Sequence, residues 1–335
     1  MTILLVTVED DLHTDLVEDH LKKAGVSHFR LNTDALSRDF KITYGIKGQK
    51  PFVFLGSKDG GGVSADDVGA VWYRRVRVNP STGQTRGQPL FDYSFDEHVG
   101  FFKNLWVALG HARWMDNPAR VHHLQDHRLE QYEQAIRVGL EVPDTYFTND
   151  GRVPVGALEE RGQIAVKAIA QPFVMADDPN GVSGDVPVRR VFTRLIRRGE
   201  FSDEQLNVSS RNTPIQFQDY EEKDVEIRLT VVGEKLFPCE IDSQASERTM
   251  HDWRRYDFQK VSHRSCELPE GIKTKILQFM GRVELVFGAI DLIRTPDGRY
   301  VFLEVNPAGQ WQWVEALTAM PISKAIADWL IEHDG

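Results

Sequence analysis

The chain has 335 residues, 41% hydrophobic and 27% charged, a composition that fits a globular protein of two or three packed units. Fifty acidic side chains against forty basic ones leave a formal net charge of −10, which argues against broad nonspecific binding to nucleic acid. Its two cysteines, Cys239 and Cys266, lie outside any Cys-x-x-Cys pair and support neither a disulfide framework nor a zinc site.

The opening residues Met1–Val6 carry no basic stretch, and no apolar run approaches the ~18 residues that span a bilayer. A cytoplasmic protein without a membrane partner is expected. Ile3–Val8 predicts a buried strand and Asp10–Gly25 a helix with Leu12, Leu16, Val17 and Leu21 on its apolar face. Gly25 reads as the C-cap and Ser27–Asn32 as a second strand. This β-α-β start predicts a parallel sheet, and it lacks the Gly-x-Gly-x-x-Gly of a dinucleotide fold. Phe40–Leu55 alternates like strands, and the glycine-rich Lys58–Ser64 predicts a loop. Ala70–Val76 is a strand with Arg74 and Arg75 at its exit, Phe95–His111 a helix, and Asp116-Asn117-Pro118 a break between units.

One helix is expected from Ala119 to Val138, ending at Gly139, followed by a short strand and turn over Val142–Asp150. Gln163–Ile169 is a strand containing Lys167, and Gln171–Pro187 reads as a mobile loop. Val188–Arg198 is strand-like but rich in arginine, and Pro214–Tyr220 is a further strand. Val225–Val232 and Lys235–Asp242 form a hairpin, Thr274–Leu285 a helix, and Pro321–Glu332 a closing amphipathic helix. No internal repeat is present.

The stretch that carries chemistry is Gly288–Trp313. It reads as a strand (Ala289–Arg294), a Thr-Pro-Asp-Gly turn and a second strand (Tyr300–Val305). Such a hairpin brings Asp291, Glu304 and Asn306 together. Three hard oxygen donors on a rigid strand pair suit Mg²⁺. The plain alternative is a hairpin with a polar solvent face. Glu304, however, sits in the apolar run Val-Phe-Leu-Glu-Val, where a carboxylate needs a partner or a metal.

These residues also carry a resemblance. Asp291 with Leu303-Glu304-Val305-Asn306-Pro307 resembles the metal-binding hairpin of ATP-grasp ligases. The extension Ala308-Gly309-Gln310-Trp311 resembles the narrower microviridin or graspetide branch, ribosomal-peptide maturases that install side-chain ester or amide crosslinks. The resemblance implies an α/β ATP-grasp fold with an N-terminal open α/β (pre-ATP-grasp) domain at residues 1–116. It further implies a central subdomain with a peptide-binding hairpin at 117–220 and a C-terminal subdomain with the metal site at 221–335. ATP and Mg²⁺ follow as cofactors, a ribosomally made precursor peptide (leader plus acidic core) as partner, and a homodimer as assembly.

Residue by residue, the resemblance implies that Lys167 contacts ATP phosphate. Arg128 stands in for the family's usual helix lysine, because this chain has His127-Arg128 where an Asn-Lys pair is usual. Gln218, Asp219 and Tyr220 fall on the hinge strand beside adenine, and Glu226 falls near the ribose. Arg228 and Arg254, the latter in Asp252-Trp253-Arg254-Arg255, match arginines at the transferred phosphate, where a guanidinium fork suits phosphate oxygens. Arg74 and Arg75 are either a site for the acidic core peptide or surface ion pairs. Arg189 and Arg190 lie where this branch docks its leader, through an added strand or a helix in a groove. A lone strand lysine can also snorkel to the surface, and an Arg pair can be solvated. His123 and His127 have helical metal spacing, but no partner motif supports a zinc site. Two rivals stand beside the crosslinking ligase: a ligase that adds a free amino acid, and a nucleotide-binding module without catalysis.

Overall fold

The computed structural model describes residues 1–170, 173–176, 186–255, 257 and 259–335, with only the backbone of 173–176 and 186–190. The buried strand Thr2–Thr7 lies between His28–Asn32 and Val68–Tyr73, parallel to both, with Arg113–Trp114 at the sheet edge. This is the parallel start that the β-α-β pattern predicts. The helix between the first two strands, Leu12–Lys23, turns a different face inward from the one expected. His13, Thr14, Val17 and Leu21 are buried, while Leu12 and Leu16 are 61% and 36% exposed. Asp11 is the reason. As N-cap it accepts from the His13 N–H and the Thr14 hydroxyl, so two polar side chains can enter the core with partners.

A small antiparallel sheet, Phe40–Lys47, Lys50–Ser57 and Gly62–Ser64, extends this unit. Its third strand falls in the stretch expected to be a loop. Gly62 can pair there because an added Cβ would stand 2.6 Å from the Phe54 ring.

The expected long helix is two helices, Pro118–Asp126 and Arg128–Arg137, broken at His127 with φ −118° and ψ 66°. The His127 ring bonds the His123 carbonyl at 2.7 Å, taking the acceptor that a continuing helix would use. The helices Arg152–Arg161 and Asp203–Asn212 are not anticipated by the sequence reading. The second does carry a signal, a Ser202/Gln205 capping box. The arginine-rich strand is also two strands: Val186–Arg190 pairs with Phe173–Ala176, and Arg194–Arg197 pairs with Gln163–Lys167. Residues 177–185, inside the expected loop, lie outside the described ones.

Two antiparallel sheets make the rest of the frame. One has the order Arg194–Arg197, Gln163–Lys167, Ile215–Asp219, Thr145–Thr148. The other runs His263–Ser265, Lys235–Ile241, Val225–Val232, Phe287–Arg294, Tyr300–Asn306. One face of the larger sheet packs Leu292, Phe302 and Val305 against Ile276 and Phe279 of the helix Glu270–Arg282. The closing helix Ile322–Glu332 buries Ile322, Ile326 and Leu330 in a core shared with Ile3, Leu5, Val17 and Leu21 of the N-terminal unit. That shared core ties the first and last parts of the chain into one body.

Candidate active site

The site begins as a register. Arg228 on Val225–Val232 lies opposite Asp291 on Phe287–Arg294, and Asp291 lies opposite Glu304 on Tyr300–Asn306. Directly paired residues of antiparallel strands project to one face, so the three charged side chains stand in a row across three strands. Glu226 and Asn306, each two residues along its strand, share that face. A bulge between Asp291 and Leu292 leaves Leu303 as the extra residue, and Leu303 and Glu304 both line the cleft.

The facing wall supplies cations. Lys167 ends the strand Gln163–Lys167, and Arg128 opens the helix Arg128–Arg137. Arg254 is added from the short turn Trp253–Arg255, in the same part of the chain as the larger sheet. The cleft between the walls holds about 880 Å³ of empty space, its open mouth included.

The arginines and carboxylates have defined neighbours. Arg228 donates from Nη1 to Asp291 Oδ1 at 2.9 Å, and Arg128 Nη2 stands 3.3 Å from Glu304 Oε2. Arg254 grips Asp252 with two donors, Nε at 2.8 Å and Nη2 at 2.6 Å, and Asp252 also accepts from the Thr193 N–H. Glu226 accepts from Lys223 Nζ at 2.7 Å and from the Ser243 hydroxyl at 2.9 Å. Arg255 stacks on Phe192, 5.1 Å from the ring centre.

The electrostatics follow from crowding. Burial pushes the Lys167 ammonium down to about 8, with Arg128, Arg254 and Lys223 adding to the effect against Glu304. Burial lifts the Asp291 carboxyl above its ordinary range; Arg228 opposes the shift and Glu304 adds to it. Burial would lift Glu304 as well, but Arg128, Arg254 and Lys167 outweigh it and hold it low. An anion in the cleft would relieve the cations, and a cation between the carboxylates would relieve the acids.

The donor set fits a hard cation. Asn306 Nδ2 faces Glu304 Oε1 at 3.5 Å, which leaves the side-chain Asn306 Oδ1 and Asp291 Oδ2 without a hydrogen bond among the described residues. Among those residues no cluster of three or more His, Cys, Asp or Glu could hold a metal, so the set is two carboxylates and one amide. Oxygen-only sites of few protein ligands suit Mg²⁺, which keeps its other positions for water and phosphate.

Of the residues expected from the sequence, Arg128, Lys167, Gln218, Asp219, Tyr220, Glu226, Arg254, Asp291 and Glu304 all line this cleft. Arg228 sits behind Asp291, and Asn306 beside Glu304. The strand that carries Gln218 and Asp219 is closed on both sides. The Gln218 amide turns back to Thr145 Oγ1 and Tyr132 Oη, and the Asp219 N–H donates to the Asp144 carbonyl. That strand therefore has no open backbone edge, and the first residues beyond the sheet that line the cleft are Tyr220 and Glu221. Asp219 also holds Arg161 at 2.9 Å.

Arg74 departs furthest. It is 4% exposed and donates to the carbonyls of Ala308 and Gly309 at 2.9 and 3.2 Å, so it cannot also be a surface contact for a peptide carboxylate. Arg75, the next residue, is exposed. The side chains of Arg189 and Arg190 lie outside what is described. Lys223 and His251 line the cleft without having been anticipated. Lys223 lies in an acidic run and His251 in a loop, where nothing local marks them.

Residues 2–122 match the family described as the MvdD pre-ATP grasp domain. A RiPP-associated ATP-grasp ligase of Chryseobacterium gregarium, solved with ADP and a leader and core peptide, is 28% identical. The likeness covers 99% of this chain and 96% of that one, with a TM-score of 0.86. Along its whole length this chain is similar to RiPP-associated ATP-grasp ligases. It is also similar to the macrocyclase MdnC of Microcystis aeruginosa MRC, solved with the precursor peptide MdnA. That pair is 28% identical, with 99% and 100% of the two chains covered and a TM-score of 0.82. A curated relative, the tetrahydromethanopterin:alpha-L-glutamate ligase of Methanococcus maripaludis, is 27% identical over 103 residues. That match takes in 31% of this chain and only 33% of the relative. No helix among the described residues is long and apolar enough to cross a membrane.

Proposed function

We propose that this ligase uses ATP to activate Asp or Glu side-chain carboxylates of a ribosomally made precursor peptide and joins them to Ser/Thr hydroxyls or Lys amines of the same peptide. The observation that carries the reading is the pair Asp291 and Glu304 in one cleft with Lys167, Arg128 and Arg254. The peptides held by the Chryseobacterium ligase and by MdnC support a peptide partner.

In this reading residues 117–220 and 221–335 form the two walls around the nucleotide, and 1–116 buttress them. Lys167 and Arg128 bind the phosphates, Tyr220 and Glu221 meet the base, and Glu226 meets the ribose. Asp291, Glu304 and Asn306 hold Mg²⁺, which when bound neutralises charge on the phosphates. Arg254, oriented by Asp252, stabilises the phosphoryl group in transfer, and Arg228 supports the site from behind by holding Asp291.

A peptide carboxylate oxygen attacks the γ-phosphorus as the bond to ADP breaks. The hydroxyl or amine then attacks the acyl carbon, phosphate leaves, and one proton is released. Each bond removes one water from the peptide and turns one ATP into ADP and phosphate. Water must be excluded while the acyl phosphate exists.

The test is intact mass after incubation with ATP, Mg²⁺ and an acidic precursor peptide encoded beside this chain. Loss of one or more waters, with fragmentation suppressed between linked side chains, is expected. A mass gain would favour addition of a free amino acid, and water loss without ATP would end the proposal.

A further inference from the structure

The loop that follows the metal hairpin is held from three directions. Arg74 Nη1 donates to the carbonyls of Ala308 (2.9 Å) and Gly309 (3.2 Å), and Arg228 Nη2 to that of Gln310 (3.2 Å). The Trp311 N–H donates to His13 Nε2 at 3.3 Å. Main-chain groups of four consecutive residues are thus held by side chains, two of which belong to the N-terminal unit. Gly309 leaves no slack on the strand side, because an added Cβ would stand 2.4 Å from Ala289 Cβ and 2.8 Å from Arg228 Nη2. The loop then ends at Trp311, fully buried in the core shared by the first and last parts of the chain.

Arg74 is itself held from behind. Asp11 Oδ2 lies 3.7 Å from Arg74 Nε, an ion-pair distance, and Nε makes no hydrogen bond. Asp11 is fixed in turn by the hydroxyls of Thr7 (2.7 Å) and Thr14 (3.0 Å). Because the Trp311 N–H can only donate, His13 Nε2 accepts, and the ring proton sits on Nδ1 facing Asp11 Oδ1 at 3.2 Å.

We propose that Arg74, backed by Asp11 and His13, is a positioning residue: the N-terminal unit fixes the loop 307–311 and so aims Asn306 and Glu304 into the cleft. The inference rests on the metal assignment above and adds to it a role for the N-terminal unit in the cation site. Asn306 is coupled directly, since its carbonyl accepts from the Gly309 N–H at 3.0 Å. Groups that orient metal ligands commonly change affinity about 10–100-fold when altered.

The experiment uses the full chain with ADP and Mn²⁺, a paramagnetic substitute for Mg²⁺, and reads free Mn²⁺ by electron paramagnetic resonance. Arg74→Lys keeps the charge but loses the paired reach to two carbonyls. It is expected to weaken Mn²⁺ binding roughly 10-fold, with metal-free ADP affinity and thermal midpoint near wild type. With peptide, kcat should fall more than KM changes. Glu304→Gln separates the two readings. If it loses Mn²⁺ while Arg74→Lys binds normally, this proposal is overturned and the metal assignment stands. If both bind Mn²⁺ like wild type, both are overturned. Should Arg74→Lys not fold, Gly309→Ala presses on the same loop from the strand side and carries the same expectation and the same overturning result.

Discussion

Asp291 and Glu304 are direct partners across two strands, yet each leans on a different arginine: Asp291 on Arg228 at 2.9 Å and Glu304 on Arg128 at 3.3 Å. Arg228 comes from the same sheet and is part of its core; Arg128 comes from the facing side of the cleft. The two carboxylates should therefore fail differently when changed. Asp291→Ala leaves a buried guanidinium without its anion and should cost about 3–5 kcal/mol of stability. Glu304→Gln, isosteric and with its cation facing it from across the cleft rather than from its own sheet, should cost less stability than Asp291→Ala, yet lose Mg²⁺-dependent ADP release by roughly 100-fold. Urea unfolding and ADP release, measured on both, check the contrast; equal stability losses would remove it.

Lys167 ends its strand among Arg128, Arg254 and Lys223, a surplus of positive charge suited to phosphate. We expect Lys167→Ala to weaken nucleotide binding by roughly 10–100-fold, the worth of a charge-assisted hydrogen bond of about 1.5–3 kcal/mol. Titration calorimetry with ADP measures it. An unchanged affinity would make Lys167 a strand residue that only reaches for solvent.

Arg75 is exposed where Arg74 is buried, so the contact with an acidic peptide expected of the pair now falls to Arg75 alone. Arg75→Glu should raise the KM for the precursor peptide several-fold, a cost of roughly 1 kcal/mol, and leave ADP affinity intact. The effect should shrink as salt rises. Peptide turnover identical to wild type at low salt would assign Arg75 to the solvated surface.

His13 supplies a pH dependence with a definite sign. Burial holds it below its ordinary value of 6.5; Arg74 and Arg75 act in the same direction, and Asp11 opposes them. The folded state then binds its proton later than the unfolded state as pH falls. The stabilising contribution is complete above 6.5 and is lost as pH drops through the lower folded value. Protonation would also place a hydrogen on Nε2 against the Trp311 N–H. We expect the urea midpoint of wild type to fall more steeply below about pH 6.5 than that of His13→Gln, which keeps an acceptor and cannot titrate. Parallel pH profiles would show that His13 does not contribute.

The hairpin Phe287–Asn306 was legible because its information is local. A Pro/Gly turn and β-branched runs determine the reversal, and the reversal determines which residues face one another. The strand lysine and the β-α-β opening were legible for the same reason, since period and punctuation survive without neighbours. Tertiary structure decided the rest. Leu12 and Leu16 looked like a core face by spacing, but the Asp11 network turned His13 and Thr14 inward instead. The helix through His127 broke because a side chain took the His123 carbonyl, and that break puts Arg128 where it meets Glu304. Arg74 and Arg75 are adjacent and chemically identical, so no local pattern separates them. What separates them is a loop 234 residues further along the chain, whose carbonyl oxygens need donors once they are buried.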